Sequence, residues 1–158
     1  MKSQIITICL AAVSMLPFES LIAQKDMPSN LEEARKAISA SNDHYFQAFE
    51  NNDASLFVSR YAEDCWIMLP NAPTLCGPNA AKDFLQRGYE KFGIRNGKLI
   101  TADVYGVSED VVAEVGFYKL YNIGNIEFDD GKFIVLWKKT PQGWKMWRES
   151  FNSSRSRK

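Results

Sequence analysis

The spacing of apolar residues changes once along the chain, after Gly93. Before that point apolar side chains recur at steps of three, four and seven residues, which is the period of an amphipathic helix. After it, runs rich in valine, isoleucine and aromatic residues are separated by turn-forming residues, which is typical of strands. The pattern predicts helices over residues 31–51, 54–61 and 80–92. It predicts strands over residues 98–107, 111–121, 132–140 and 144–152.

One further strand is predicted between the second and third helices. Residues 65–69 are short, apolar and flanked by turn formers, as an interior strand is, and residues 72–76 can return beside them as a hairpin. The run Asn51-Asn52-Asp53 is placed to end the first helix and cap the second, and we expect Glu63 and Asp64 to form the turn after it. Helices first and strands afterwards predict an α+β domain whose antiparallel sheet buries one face under the helices.

Length and charge narrow the function classes. A chain of 158 residues with 46% hydrophobic content is large enough for one domain with a single core. Basic and acidic residues number 19 each, so the formal net charge is zero. We therefore expect neither a nucleic acid nor an anionic membrane as a partner attracted by long-range electrostatics.

The first residues predict export. A positive start at Lys2, an apolar run over residues 5–16 and a small residue at Ala23 are typical of a signal peptide cleaved after Ala23. The alternative is a retained N-terminal anchor. The predicted organisation is a signal peptide (1–23), a leader (24–29), one domain (30–153) and a basic tail (154–158), in a periplasmic or extracellular protein.

Export makes the cysteines that remain after cleavage a disulfide candidate. A hairpin between residues 65–69 and 72–76 would place Cys65 opposite Cys76, within bridging distance. The alternative is two buried thiols that behave as small apolar side chains. A metal site is not expected, because the chain has one histidine and no CxxC or HxxxH spacing, and no cofactor is expected either.

Several short motifs occur in an order that is familiar. They are Asn52-Asp53 at the helix break, Tyr-Ala-Glu-Asp at 61–64, Gly77 before the third helix, and the closing segment 143–153. In this order the chain resembles the NTF2-like superfamily, and within it the SnoaL-like domains and the domain of unknown function DUF4440. The resemblance implies a cone of three N-terminal helices packed on a curved, mainly antiparallel sheet.

The resemblance also implies a deep apolar pocket between helices and sheet, and a homodimer formed through the sheet face. On the resemblance and on strand parity we expect eight residues in the ligand pocket: Tyr45, Phe49, Ile67, Leu69, Phe117, Val135, Met146 and Arg148. The alternative for the aromatic residues of the strands is an ordinary core or interface role.

Catalytic residues are less clearly indicated. The resemblance includes ketosteroid isomerases, which use an aspartate base with a tyrosine and a neutral aspartic acid. In the alignment the tyrosine position falls on Tyr45, the base position on Leu69 and the second aspartate position on about Val135. Leucine and valine have no group that can transfer a proton, so that mechanism is not expected. The remaining candidates for acid–base work are Tyr45, Arg148 and Glu114.

Strand parity within the same alignment points Arg148 inward, between Met146 and Ser150, and Glu114 outward. A register error of one residue would reverse both. The alternative role for Arg148 is an ion pair with Glu114, with Glu149 or with a second subunit.

Three functions follow as expectations. The first is binding of a small apolar or aromatic ligand in the pocket. The second is a cofactor-independent isomerase, cyclase or hydro-lyase of the SnoaL type. The third is a protein-interaction module whose pocket is filled by its own side chains.

Overall fold

The computed structural model describes residues 29–156. The predicted signal peptide, nearly all of the leader and the last two residues lie outside this range. Within it, no helix combines the length and apolar character needed to cross a membrane. Arg155, in the predicted basic tail, is exposed and pairs with Glu127 at 2.8 Å and with Asp130 at 2.7 Å.

The helices precede most of the sheet, as predicted. They are α1 (Ser29–Asn51), α2 (Ala54–Val58) and α3 (Ala80–Glu90). The apolar stripe of α1, which includes Ile38, Tyr45 and Phe49, is buried. Asp53 caps α2, because its carboxylate accepts hydrogen bonds from the backbone N–H groups of Ser55 and Leu56 at 2.9 and 3.0 Å.

The strands form one sheet of six in the part of the chain described. They are β1 (Tyr61–Met68), β2 (Leu75–Cys76), β3 (Asn96–Gly106), β4 (Val111–Tyr121), β5 (Glu127–Thr140) and β6 (Gly143–Ser153). Their order across the sheet is β2-β1-β6-β5-β4-β3. Neighbours are antiparallel except β1 and β6, so the first strand of the chain lies beside the last.

Register shifts interrupt several ladders of this sheet, including β3–β4, β4–β5 and β5–β6. Such bulges bend strands and increase their twist, and the sheet is curved. Its concave face receives α1, and glycines in β3 and α3 allow these two elements to approach α1 closely. A Cβ at Gly97 would lie 2.3 Å from the Phe46 ring, and one at Gly88 would lie 2.7 Å from the Phe49 ring. The core lies between this face and the helices.

Two predicted boundaries are wrong. α2 ends at Val58 rather than at residue 61, because Tyr61 is already extended and pairs with Met146 of β6. Glu63 and Asp64, predicted as a turn, belong to β1 and place their side chains toward solvent. Polar residues on an exposed strand face look like a turn when the partner strand is not known.

The strand β5 begins at Glu127, five residues earlier than the predicted start. Its acidic opening pairs with β4, with Asp129 opposite Leu120. The charges are balanced by cations from elsewhere in the chain, since Glu127 accepts from Lys119 at 3.0 Å. A local pattern contains no information about such a distant partner.

The predicted disulfide register is off by one residue. Trp66, not Cys65, lies opposite Cys76. Because successive side chains of a strand point to opposite faces, Cys65 is buried while Cys76 is exposed. Both cysteines are free thiols.

Candidate functional site: a cavity with two buried carboxylates

A cavity of about 590 Å³ lies between α1, α3 and the concave face of the sheet. This volume is within the range of small-molecule pockets. Aromatic rings supply much of its wall: Phe46, Phe49, Phe84, Tyr118, Phe133 and Phe151. The remaining residues are aliphatic or polar in similar numbers, and the charged ones are Arg87, Lys91, Glu114, Asp129, Glu149 and Arg155. Most of the accessible surface of the wall is apolar, which suits a flat or compact apolar molecule.

Five of the eight predicted pocket residues line this cavity: Tyr45, Phe49, Leu69, Val135 and Met146. The other three do not. Ile67 is fully buried, but in the packed core beside the cavity. Phe117 is 54% exposed, because it lies on the convex face of β4. Arg148 also lies on that face.

The side chain of Arg148 points outward, so its predicted orientation is wrong. Its guanidinium lies 4.8 Å from the ring centroid of Trp66 and 4.1 Å from that of Trp147. Nη1 donates to the backbone carbonyl of Asp64 at 3.0 Å. Stacked between two indoles and hydrogen-bonded to β1, this residue is not available to a ligand in the cavity.

A bulge in β6 explains the error. Trp137 lies opposite Met146 while the next residue toward the start of β5, Leu136, lies opposite Arg148. Trp147 is therefore the extra residue, and parity reverses after it. Met146 and Glu149 consequently share the concave face. No sequence feature marks the bulge, and Glu149 was missed for this reason.

Glu114 faces the cavity and not the solvent, which is the reverse of the prediction. It is only 1% exposed. Its Oε1 accepts from Asn42 at 2.7 Å and from Thr101 at 2.6 Å, and its Oε2 accepts from the Trp137 indole at 2.9 Å. Burial raises the pKa of Glu114, while the three hydrogen bonds act in the opposite direction.

The alternation of apolar and polar residues along β4 could not show which of its two faces is buried against the helices. Ala113, Val115 and Phe117 on one face are as apolar as Val112 and Tyr118 on the other. A charged residue in such a strand is normally assigned to solvent. The donors that make burial possible come from α1, β3 and β5, and they are recognisable only once the strands are paired.

Glu149 is the second carboxylate at the cavity wall, and it is 6% exposed. The register places Glu114, Val135 and Glu149 in one row across β4, β5 and β6. Two strand spacings put the Cα atoms of the glutamates about 10 Å apart. They are close enough for each charge to disfavour the other inside the protein.

The environment of Glu149 is unusually poor in donors. The Tyr61 hydroxyl donates to Oε2 at 2.8 Å, and no other group among residues 29–156 hydrogen-bonds to this carboxylate. Burial raises the pKa of Glu149 to about 7, and the charge of Glu114 raises it too, while Tyr61 and Arg60 lower it. A carboxyl group of this kind exchanges its proton near neutral pH, as acid–base catalysts do.

Arg60 lies beside this group, and sequence reasoning missed it as well. It is 6% exposed, with its guanidinium 4.9 Å from the ring centroid of Tyr45. None of its three guanidinium nitrogens has a hydrogen-bond partner in the described structure. Burial lowers its pKa, and the nearby tyrosines and glutamates raise it.

Tyr45 and Tyr61 complete the cluster. Burial raises the pKa of both phenols well above the usual value, and the Glu149 charge raises it further. Both therefore stay neutral and act as hydrogen-bonding groups. The buried end of the cavity is thus lined by two acids and the Tyr45 phenol. Arg60 and Tyr61 lie outside the lining, where Arg60 packs on the Tyr45 ring and Tyr61 donates to Glu149.

No family model and no curated protein matches this sequence. Solved structures match over most of the chain. A domain of unknown function with a cystatin-like fold from Nostoc punctiforme has a TM-score of 0.66 at 14% identity, covering 78% of each chain. A ketosteroid isomerase-like protein from Erwinia carotovora atroseptica has a TM-score of 0.65 at 16% identity, covering 82% of this chain and all of that one.

A hexachlorocyclohexane dehydrochlorinase, LinA-type3 from Novosphingobium barchaimii, has a TM-score of 0.62 at 15% identity. The match covers 77% of this chain and 86% of the dehydrochlorinase. Identities this low establish a shared fold and leave activity open. A superfamily protein described as NTF2-like, from Salmonella enterica, matches in the same way. The chain therefore has the cystatin-like α+β fold of the NTF2-like superfamily.

Proposed function

We propose that this protein binds a small, largely apolar or aromatic molecule in its cavity. The observation that supports the proposal is a cavity of about 590 Å³ that stays open although large aromatic side chains surround it. Side chains of a protein interior normally close such space, because unfilled apolar volume destabilises the fold. An open, preformed and mostly apolar cavity is the usual form of a ligand site.

The interaction module with a filled pocket is less well supported, because its premise was a cavity occupied by the protein's own side chains. A cofactor-independent enzyme remains a second candidate, and Glu149 favours it. A carboxyl group with a pKa of about 7 at the wall of an apolar cavity could move a proton on a bound substrate. In such an enzyme Glu149, with Glu114 and Tyr45, would replace Arg148 among the catalytic candidates.

The binding proposal is tested with the neutral fluorescent dye N-phenyl-1-naphthylamine and two variants of adjacent residues. Val135→Phe adds bulk at the cavity wall, whereas Ile134→Phe adds the same ring on the exposed convex face. We expect the wild type and Ile134→Phe to bind the dye with enhanced fluorescence, and Val135→Phe to lose binding. Dye binding that is absent from the wild type, or equal in both variants, would contradict the proposal.

Native mass spectrometry of protein purified from its own source addresses the natural ligand. A co-purifying small molecule that is absent from Val135→Phe would support cavity binding. The same spectra, with N-terminal sequencing, test the predicted cleavage after Ala23 and hence export.

Homodimerisation through the sheet face is also part of the proposal. The convex face carries exposed apolar side chains at Trp66, Ile100, Phe117 and Ile134, and contiguous exposed apolar surface is typical of protein interfaces. Light scattering coupled to size-exclusion chromatography should give twice the mass of the mature chain. A monomer mass at high protein concentration would contradict it.

A further inference from the structure

We propose that the cavity recognises a small aromatic amine, whose ammonium group pairs with Glu149 at the buried end while its ring system fills the apolar part. This inference rests on the proposed function and specifies its ligand class. Three features of the site carry it: an unpartnered acceptor, an imbalance of charge and an aromatic wall.

The unpartnered acceptor is Oε1 of Glu149. The residue is nine-tenths buried and lines the cavity, and its one hydrogen bond from the described chain goes to Oε2, from Tyr61. Oε1 keeps accessible surface and opens onto the cavity, where a carboxylate oxygen without a donor is costly. By contrast, both oxygens of the Glu114 carboxylate accept hydrogen bonds, from three donors in total. The missing donor of Glu149 can come from a ligand.

The imbalance of charge determines the sign of that donor group. At the buried end of the cavity, two carboxyl groups face one cation, Arg60, which forms no ion pair with either of them in the structure described. The cations of the cavity wall itself are Arg87, Lys91 and Arg155, and none of them is among the groups that act on the Glu149 carboxyl group. The guanidinium nitrogens of Arg60 are also sealed from the cavity, with essentially no accessible surface. Arg60 is therefore a fixed positive charge that a ligand does not touch. A cation on the ligand would balance the second carboxylate, whereas an anion would meet two negative charges.

The aromatic wall suits the same ligand. Tyr45, Phe46, Phe49 and Phe133 line the cavity, and the faces of aromatic rings attract ammonium groups as well as stacking against flat molecules. A ligand that is apolar over most of its surface and cationic at one end matches both parts of the cavity.

Binding should depend on pH in one direction. The titratable and charged groups facing Glu149 are Tyr45 from α1, Arg60 before β1, Tyr61 and Cys65 from β1, and Glu114 from β4. Burial raises the pKa of the Cys65 thiol to about 11, and it raises the pKa of the two phenols well above their usual value. Glu114, although its pKa is raised, keeps donors that favour its ionised form.

Glu149 is then the group that titrates near neutrality, with a pKa of about 7. An ammonium ion pairs with its ionised form. Affinity should therefore rise with pH until about 7 and level off above it, and binding below that pH should release a proton.

The test compares three probes that share one ring system and differ at the end group. They are 2-(1-naphthyl)ethylamine, 2-(1-naphthyl)ethanol and 1-naphthylacetate, each measured by displacement of N-phenyl-1-naphthylamine. At about pH 8 we expect the amine to bind at least about tenfold more tightly than the alcohol, and the carboxylate to bind most weakly. Calorimetry in two buffers of different ionisation enthalpy should detect proton release with the amine at about pH 6.

Glu149→Gln keeps the size of the side chain and removes its charge. In this variant the amine should lose its advantage over the alcohol, and the pH dependence of its affinity should be lost. Glu63→Gln, which alters an exposed carboxylate of β1, is the matched control and should keep the preference for the amine.

The outcomes separate the two proposals. If the dye binds but the amine shows no advantage over the alcohol, or keeps its advantage in Glu149→Gln, the amine proposal is overturned and cavity binding stands. Tightest binding of the carboxylate probe overturns it too, and indicates a protonated Glu149 acting as donor. If the wild type does not bind even the dye, the proposed function fails together with the inference.

Discussion

The two faces of the sheet treat charged residues in opposite ways. On the convex face Lys138 forms an ion pair with Asp64, and Arg148 is stacked between two tryptophans. On the concave face Glu114 and Glu149 are buried with only neutral donors. Arg60, which precedes β1, is buried beside them, and its guanidinium group has no acceptor in the described structure.

The difference indicates which charges the fold uses for stability and which it merely tolerates. Exposed ion pairs contribute little, but they also cost little, because water screens them. Buried groups without partners lower stability, and their retention in a cavity wall is typical of a functional site. Stability measurements can therefore test the functional interpretation independently of any ligand.

The largest expected difference in stability is between two phenylalanine-to-alanine substitutions, one on each face of the sheet. Phe133→Ala removes a buried ring on the concave face and should lower the free energy of unfolding by about 3 kcal/mol. Phe117→Ala removes an exposed ring one strand away and should cost less than about 1 kcal/mol at dilutions where the chain is monomeric. Urea denaturation measures both, and equal losses would contradict the assignment of faces.

The next effect concerns Glu149 and has a definite sign. Its pKa rises from 4.5 in the unfolded chain to about 7 in the folded protein, so the folded state binds more protons between these values. Stability contributed by this group is thus present at low pH and lost as pH rises, by on the order of 3 kcal/mol at full ionisation.

Glu149→Gln removes the loss of stability that ionisation of Glu149 causes at high pH. We expect the variant to be more stable than the wild type by up to about 3 kcal/mol at about pH 8 and to show little gain at about pH 5. Urea denaturation at both pH values measures the difference, with Glu63→Gln as the exposed control. A variant that is destabilised at the higher pH would show that ionised Glu149 is satisfied in the native protein.

A smaller effect is expected for Arg148 on the convex face. Arg148→Ala removes the stack on Trp66 and Trp147 and the hydrogen bond to Asp64, and should cost about 1 kcal/mol. The loss should be the same at about pH 5 and about pH 8, because the groups that the Arg148 side chain contacts are two indole rings and a backbone carbonyl, which do not titrate. A loss of dye binding in this variant would contradict the placement of Arg148 outside the cavity.

The smallest expected effect is a shift in the pKa of Glu149. Arg60 lowers the pKa of Glu149, so Arg60→Met should move that pKa upward. Carbon-13 NMR of selectively labelled glutamate carboxyl groups, with Glu149→Gln to assign the signal, measures it directly. A downward or absent shift would mean that Arg60 does not act on this carboxyl group.

The sequence by itself determined the elements that depend on neighbouring residues. The apolar stripe of α1, the cap at Asp53 and the centres of the long strands follow from local spacing and local hydrogen bonds. Together with short motifs they indicated a cone with an apolar pocket, and Tyr45, Phe49, Leu69, Val135 and Met146 lie at its wall.

The tertiary structure alone decided the chemistry of that pocket. The bulge at Trp147 exchanged the faces of the side chains that follow it in β6 and so placed Glu149 on the concave face. Hydrogen-bond donors from three other elements made the burial of Glu114 tolerable. The same dependence on distant partners moved the cysteine register and the start of β5. A strand's face and register are set by the strands and helices that pack against it, and a local pattern does not record them.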